Sequence, residues 1–241
     1  MIASLAPLFS GPLAAYETNL QLASGTDQGI AGSQLFQPEY FAEFMASLAA
    51  SRGTDDLLAL TSIWSKWYFC FLAPTVAASL LLQRELPIAL SDVGVALSAE
   101  GKPLGLRLLH DGHSPPPCSP FERFSSLIQG HLEPVIEVMA SVSKASPRLF
   151  WSNAGNLFES ATTQVELHPL ATVDCATPAR AVLESRQRPD GRRNPLFAPV
   201  YYKDVGASEP QRLRRICCIR YRLPGVDYCS SCPIDRDKRL E

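Results

Sequence analysis

The alternation of apolar and polar positions divides the chain into helical stretches and two extended pairs. Residues 38–50 (PEYFAEFMASLAA) read as a helix, with Pro38 suited to the first turn, where a missing N–H is no loss. Thr54 is placed to cap the next helix, with Asp55 and Asp56 in a first turn where the macrodipole favours acids. That helix runs through LLALTSIWSKWYFCFLA to Pro74, and a second apolar segment, 75–82, follows before Pro87. Between Asp92 and His110 the period shortens. There DVGVALSA and LGLRLLH flank the turn AEGKP, which predicts a β-hairpin. Three consecutive prolines make 110–120 a loop. A long amphipathic helix is predicted over 121–144, kinked at Pro134, with further helices over 147–159 and 178–187. Residues 196–205 and 212–223 form the second predicted strand pair, and residues 1–35 read as irregular.

The pattern is α+β, mainly helical with small antiparallel strand pairs. No internal repeat or sharp boundary interrupts it. A mainly helical region, 1–195, and a C-terminal region with a strand pair, 196–241, are therefore expected to form one continuous domain. Of the 241 residues 46% are hydrophobic, enough for a substantial core. The 22 basic and 24 acidic residues leave a formal net charge of −2, which argues against a nucleic-acid partner held by phosphate neutralisation. The first 16 residues are uncharged, but Pro7, Gly11 and Pro12 interrupt them and no Lys or Arg comes first. A signal peptide is not expected, and a cytoplasmic location is. The longest uncharged run, 67–83, has Pro74 in its middle and predicts a buried helix pair. Peripheral contact with the inner face of a membrane is the alternative reading of that run.

Cysteines add chemistry to this frame. Cys70, Cys118 and Cys175 are scattered, whereas Cys217, Cys218, Cys229 and Cys232 lie together. A Cys-x-x-Cys knuckle brings two thiolates to a metal from one tight turn. The adjacent pair fits a single zinc ion poorly, because neighbours on a strand point to opposite faces, so the backbone must bend at residues 217–218. Four thiolates also suffice for a [2Fe–2S] cluster, which spreads its ligand positions over a wider object. The spacing favours iron–sulfur, with a structural zinc protein of four cysteine ligands as the alternative.

The run RRICCIRYRLPGVDYCSSC resembles the C-terminal signature of the FhuF-type ferric-siderophore reductase family, whose Cys-Cys, ten-residue, Cys-x-x-Cys arrangement binds a [2Fe–2S] cluster. Arg220 to Pro224 (RYRLP), Asn194 to Leu196 (NPL) and Trp151-Ser152-Asn153 match further motifs of the family, and Ser62 to Leu82 resembles its early helix. The resemblance touches roughly residues 60–235. It implies that Cys217, Cys218, Cys229 and Cys232 are the cluster ligands and that 1–195 docks the siderophore. The implied reaction is one-electron reduction of siderophore-bound ferric iron, most often a hydroxamate, with ferrous iron released in the cytosol. Hydroxamate oxygens are hard donors that hold Fe(III) and bind Fe(II) far less well. The 110–120 loop has no family counterpart. Its His110, His113 and Cys118 suggest a second metal site, against a plain surface loop.

No G-x-G-x-x-G follows a strand and no G-x-x-x-x-G-K-[ST] occurs, so electrons are expected from a separate ferredoxin, flavodoxin or NAD(P)H-dependent reductase. Residues 203–241 hold nine basic residues (Lys203, Arg212, Arg214, Arg215, Arg220, Arg222, Arg236, Lys238, Arg239) against six acidic ones (Asp204, Glu209, Asp227, Asp235, Asp237, Glu241). That local balance suits raising a cluster's potential and docking an acidic donor; the alternative is a solvated strand face. Trp151, Asn153, Asn156, Arg220 and Arg222 are candidate substrate contacts, with helix packing as the other role for Trp151 and the asparagines. The Trp64, Trp67, Tyr68 and Phe71 stripe reads as core. A cluster-bearing electron carrier with a protein acceptor is the rival to the reductase.

Overall fold

Pro38 opens a helix that buries Phe41, Met45 and Leu48 along one face, and most of the chain follows the same logic of apolar stripes turned inward. The fold is taken from a computed structural model that describes residues 2–206 and 209–234. Asp235, Arg236, Asp237, Lys238, Arg239 and Glu241 of the basic C-terminal stretch lie outside the described residues.

Two 3₁₀ turns, Ala3–Leu8 and Gly11–Tyr16, lead into strands β1 (Leu20–Leu22) and β2 (Ile30–Ala31), so the segment read as irregular is structured. Helices α1 (Gly32–Leu35), α2 (Pro38–Ser51), α3 (Leu57–Cys70) and α4 (Ala73–Leu81) follow. The cap of α3 is Asp56, not Thr54. Its carboxylate accepts from Ala59 N at 3.0 Å, while Thr54 Oγ1 accepts from Asp56 N. Pro74 sits in the first turn of α4, where it breaks no helical bond.

The predicted hairpin is β3 (Val93–Leu97) and β4 (Pro103–Leu108), and it forms the centre of a four-stranded sheet of order β1-β4-β3-β2. β1 pairs with β4 in parallel, a neighbour the local pattern did not announce. Gly94 permits the close packing there, since a Cβ would lie 1.7 Å from Gln28 O.

The helix expected over 121–144 is four pieces: α5 (Pro120–Arg123), α6 (Ser125–Leu127), a π-helical turn Ile128–Leu132, and α7 (Glu133–Ser143). Pro134 is in the first turn of α7, so its missing N–H falls at a boundary rather than a kink. α8 (Pro147–Glu166) runs a turn or two longer than predicted and buries Phe150, Ala154, Phe158, Ala161 and Val165; α9 is Thr177–Glu184. β5 (Val200–Lys203) and β6 (Gln211–Arg214) form the second pair. The strand predicted through 223 therefore ends at Arg214. At Gly155 a Cβ would lie 2.7 Å from Pro199 Cβ, so α8 presses against the turn that enters β5. Among the described residues no helix is long and apolar enough to cross a membrane.

α3 carries the aromatic heart of the core. Trp64 and Tyr68 stack at 5.2 Å, and Tyr68 stacks on His131 of the π-helical turn. His131 is fully buried; its Nδ1 lies 2.6 Å from the Ile88 carbonyl and its Nε2 2.8 Å from Tyr68 Oη. A carbonyl only accepts, so Nδ1 carries the proton and Nε2 accepts from the phenol. Burial lowers this imidazole's pKa from 6.5 to about 4. The unfolded chain therefore binds a proton below about pH 6.5 that the folded chain refuses until about pH 4, and stability falls as pH drops through that window. The expected loss is about 3 kcal/mol. Urea unfolding across the window is expected to show it in the native chain and a flatter slope in His131→Gln; equal slopes would contradict the assignment.

Candidate metal centre

β6 hands the chain straight to the first cysteine pair. Arg214 N donates to Ser231 O at 2.9 Å, which ties the end of the strand to the Cys-x-x-Cys turn. Within that turn Cys232 N donates to Cys229 O at 3.1 Å. After Cys218 the backbone reverses through Ile219, whose φ of 52° is left-handed, into the 3₁₀ turn Arg220–Arg222. The bend expected at the adjacent cysteines is thus made one residue later. Ser62 Oγ on α3 holds it by donating to Cys218 O at 2.8 Å.

The result is a row of four sulfurs. Cys217 and Cys232 Sγ are 3.6 Å apart, Cys218 and Cys229 Sγ are 3.9 Å apart, and the Cys217 and Cys218 thiols interact with each other. They form a cluster of their own, apart from the main core, together with Tyr228 and Ile234. Ile219 N donates to Cys217 Sγ at 3.3 Å. Sharing of hydrogen bonds within the row holds Cys218 down toward the thiolate and pushes Cys217 and Cys229 up. Lys66, whose Nζ is 3.6 Å from Cys218 Sγ, adds to the lowering.

Arg214 is the unusual partner. Its side chain is 0% exposed, and one guanidinium nitrogen, Nη2, donates to Ser152 Oγ and Asn153 Oδ1 on α8. Its Nε and Nη1 have no hydrogen-bond partner among the described residues. Burial lowers its pKa, and the charges of Cys218, Cys229 and Cys217, Cys218 foremost, oppose that when these groups are ionised. A buried guanidinium with idle donors beside four thiols calls for a compact negative object at the thiols.

A [2Fe–2S] cluster fits. The sulfur spacings of 3.6 and 3.9 Å bracket the edge of about 3.8 Å expected for two thiolates on one metal ion with bonds of ~2.3 Å, iron and zinc alike. No three His, Cys, Asp or Glu side chains among the described residues are gathered tightly enough to enclose one metal ion. The same finding covers His110, His113 and Cys118. His113 faces Glu85 at 3.9 Å and His110 Nδ1 accepts from Gly112 N, both ordinary loop contacts.

The candidate substrate contacts separate. Trp151 lines a cavity of about 540 Å³, bounded near the cysteines by Ser152 and Ile216. Asn153 is 3% exposed, and its amide is engaged by Ser62, Ser65 and Arg214, which puts it behind the sulfurs and off any cavity wall. Asn156 accepts from Arg212 at 3.0 Å and lines a second, more open cavity of about 720 Å³ with Lys66, Arg220 and Cys229. Arg220 bonds the carbonyls of Asp227 and Tyr228, bracing the ten-residue loop between the cysteine pairs. Arg222 pairs with Asp56 at 2.6 Å, pinning that loop to the start of α3. Asn194 is buried, its amide spanning the carbonyls of Val182 and Ser185. Lys66 and the burial of Arg214 escaped the sequence reading. The one available signal is that Lys66 is the only charge in α3 and lies one turn from Ser62.

Comparison with known proteins agrees with this geometry. Residues 62–208 match the family described as "Ferric iron reductase FhuF-like transporter", and residues 214–233 match the "FhuF 2Fe-2S C-terminal domain". The cofactor of that C-terminal segment is a [2Fe–2S] cluster. A ferric siderophore reductase of Escherichia coli (strain K12) is 28% identical over 178 residues. The match takes in 73% of this chain and 65% of that relative's length, so the chain spans just under two thirds of it.

Reduction makes a cluster more negative, so a buried cation beside it favours the reduced form. Arg214→Gln is expected to lower the midpoint potential, followed by EPR in a redox titration, on the order of 50–100 mV. An unchanged potential in a variant that keeps its iron would contradict the role given to Arg214.

Proposed function

From the premise that the chain belongs to the ferric iron reductase FhuF-like transporter family, we propose that it reduces siderophore-bound ferric iron by single electrons and frees ferrous iron in the cytosol. The observation that carries this reading is the buried, half-satisfied Arg214 guanidinium beside four gathered thiols. In this reading Cys217, Cys218, Cys229 and Cys232 hold the cluster. When bound, a [2Fe–2S] cluster supplies single-electron transfer. The chain's own residues do the rest. Lys66 and Ile219 N–H stabilise thiolate at Cys218 and Cys217, Arg214 supplies a fixed positive charge from the protein side, and Tyr221 stacked on Tyr228 at 4.4 Å stiffens the loop between the cysteine pairs.

The substrate's chemistry completes the reaction. One electron converts Fe(III) to Fe(II), which hard hydroxamate oxygens bind far less well, and the vacated oxygens take up protons from solvent. No acid or base on the protein need touch the iron. The electron comes from a separate donor such as a ferredoxin, a flavodoxin or an NAD(P)H-dependent reductase. Supporting an acidic donor, the open cavity beside Cys229 carries Lys66, Arg212 and Arg220.

The protein, purified without oxygen and reduced by dithionite, is to be freed of excess reductant and mixed with a ferric hydroxamate in the presence of a coloured Fe(II) trap. About one Fe(II) per reduced cluster is expected. Cys229→Ser is expected to lose most of its iron and at least tenfold of the rate, while Cys118→Ser keeps both. Fully reduced protein that yields no Fe(II), or a Cys229→Ser variant with its iron intact, would overturn the reading.

A further inference from the structure

The cavity at Trp151 has a charge that the reductase reading leaves unused. Five arginines line it, Arg148, Arg188, Arg192, Arg193 and Arg215, against two glutamates, Glu133 and Glu137. Arg192 is paired with Asp190 outside the wall, which still leaves the basic groups in excess. Arg188 is the informative one. It is only 8% exposed, it pairs through Nη1 with Glu133, and its guanidinium lies 6.0 Å from the Trp151 ring centre. Its Nε is buried and has no hydrogen-bond partner among the described residues. A buried N–H left idle on a cavity wall is a group whose desolvation nothing in the protein offsets. An oxyanion in the cavity would offset part of that cost through its charge, since Nε itself has no surface open to a guest.

The rest of the wall suits a bulky guest. Trp151 and Phe197 give apolar faces, and Arg215 is fixed by donating from Nε to Ala198 O at 2.6 Å, which leaves its other N–H groups for a ligand. The volume of about 540 Å³ is in the range of sites that enclose much of a medium-sized ligand. Position matters most. Ile216 on the wall directly precedes Cys217, and Ser152 on the wall donates to Ile216 O while accepting from Arg214. A guest here is separated from the sulfurs by one residue of chain.

We infer that this cavity takes the ferric chelate, and that it selects chelates of net negative charge in which carboxylates accompany the hydroxamates. The inference rests on the reductase reading and narrows its substrate class. Arg193 and the Arg215 N–H groups that Ala198 does not engage meet the carboxylates, with Arg148 and Arg188 adding positive charge to the wall, while the ring of Trp151 packs on the apolar arms of the chelator. An uncharged tris-hydroxamate meets the same wall and leaves its excess of arginines uncompensated. It therefore binds more weakly.

Gallium(III) complexes test this apart from electron transfer, because Ga(III) matches the ferric ion in size and is not reduced. The probes are the Ga(III) complex of a citrate-based dihydroxamate, which is anionic, and an uncharged Ga(III) tris-hydroxamate, both titrated calorimetrically into the purified holoprotein. The anionic complex is expected to bind at least about tenfold more tightly, with an advantage that shrinks as salt is raised. Arg188→Gln, and the exposed Arg193→Gln in case the buried variant fails to fold, are each expected to lose several-fold of that advantage and to leave the weaker binding unchanged. Equal binding of the two complexes, or an undiminished advantage in folded Arg193→Gln and Arg188→Gln, would overturn the assignment. If the protein reduces ferric chelates without regard to charge, the cavity assignment falls and the reductase stands. If it binds the anionic complex as described but reduces no ferric chelate, the reverse holds.

Discussion

A guanidinium buried without a counter-anion is among the most costly arrangements a fold can contain, and the organisation of this protein follows from how Arg214 escapes it. The side chain enters from the end of β6 and is gripped on one nitrogen by Ser152 and Asn153. Its Nε and Nη1 have no hydrogen-bond partner among the described residues, and Cys218, Cys229 and Cys217 act on its charge electrostatically. In the proposed reading, thiolates holding a cluster would present concentrated negative charge beside it and make the charge tolerable in the folded state. The same charge, with Lys66, would bias such a cluster toward its reduced form.

Two helices supply the frame. Asn153 on α8 bonds Ser62 and Ser65 on α3, and Ser62 in turn holds the Cys218 carbonyl. A short C-terminal segment with few apolar contacts of its own is thereby registered against the rigid core of the molecule. The core is kept stiff by the Trp64–Tyr68–His131 stack and by the close approach of α8 to Pro199 at Gly155. The two cavities differ in character: one is walled by aromatic rings and arginines and reaches Ile216, next in sequence to Cys217, and the other is open and polar and includes Cys229.

Much of this was legible in the chain. The helices of the N-terminal half, the 93–108 hairpin and the α+β class follow from local periodicity, and the cysteine spacing with its flanking RYRLP pointed to the cluster. What local pattern did not show depends on distant neighbours. Arg212 and Arg214 share a strand face by spacing, yet only Arg214 is sealed, because Ser152 and Asn153 reach it from some sixty residues away. Lys66 meets Cys218 across 152 positions of sequence. The strand expected to run on to Leu223 stops at Arg214 because the cysteines must turn, and Ile219 takes a left-handed conformation that its β-branched side chain disfavours. Asn153, read as a candidate substrate contact, belongs to the support of Arg214. The long helix over 121–144 breaks where the π-helical turn presents His131 to Tyr68.

The measurement that bears most directly on this account is elemental and spectroscopic. The protein, purified anaerobically, is to be assayed for iron, acid-labile sulfide and zinc, and its EPR spectrum recorded after dithionite reduction. The account predicts iron and sulfide in equal amounts, about two of each per chain, and a paramagnetic signal that appears only on reduction. Zinc at about one per chain with a silent spectrum would contradict it, and with it the reason for burying Arg214 beside the cysteines.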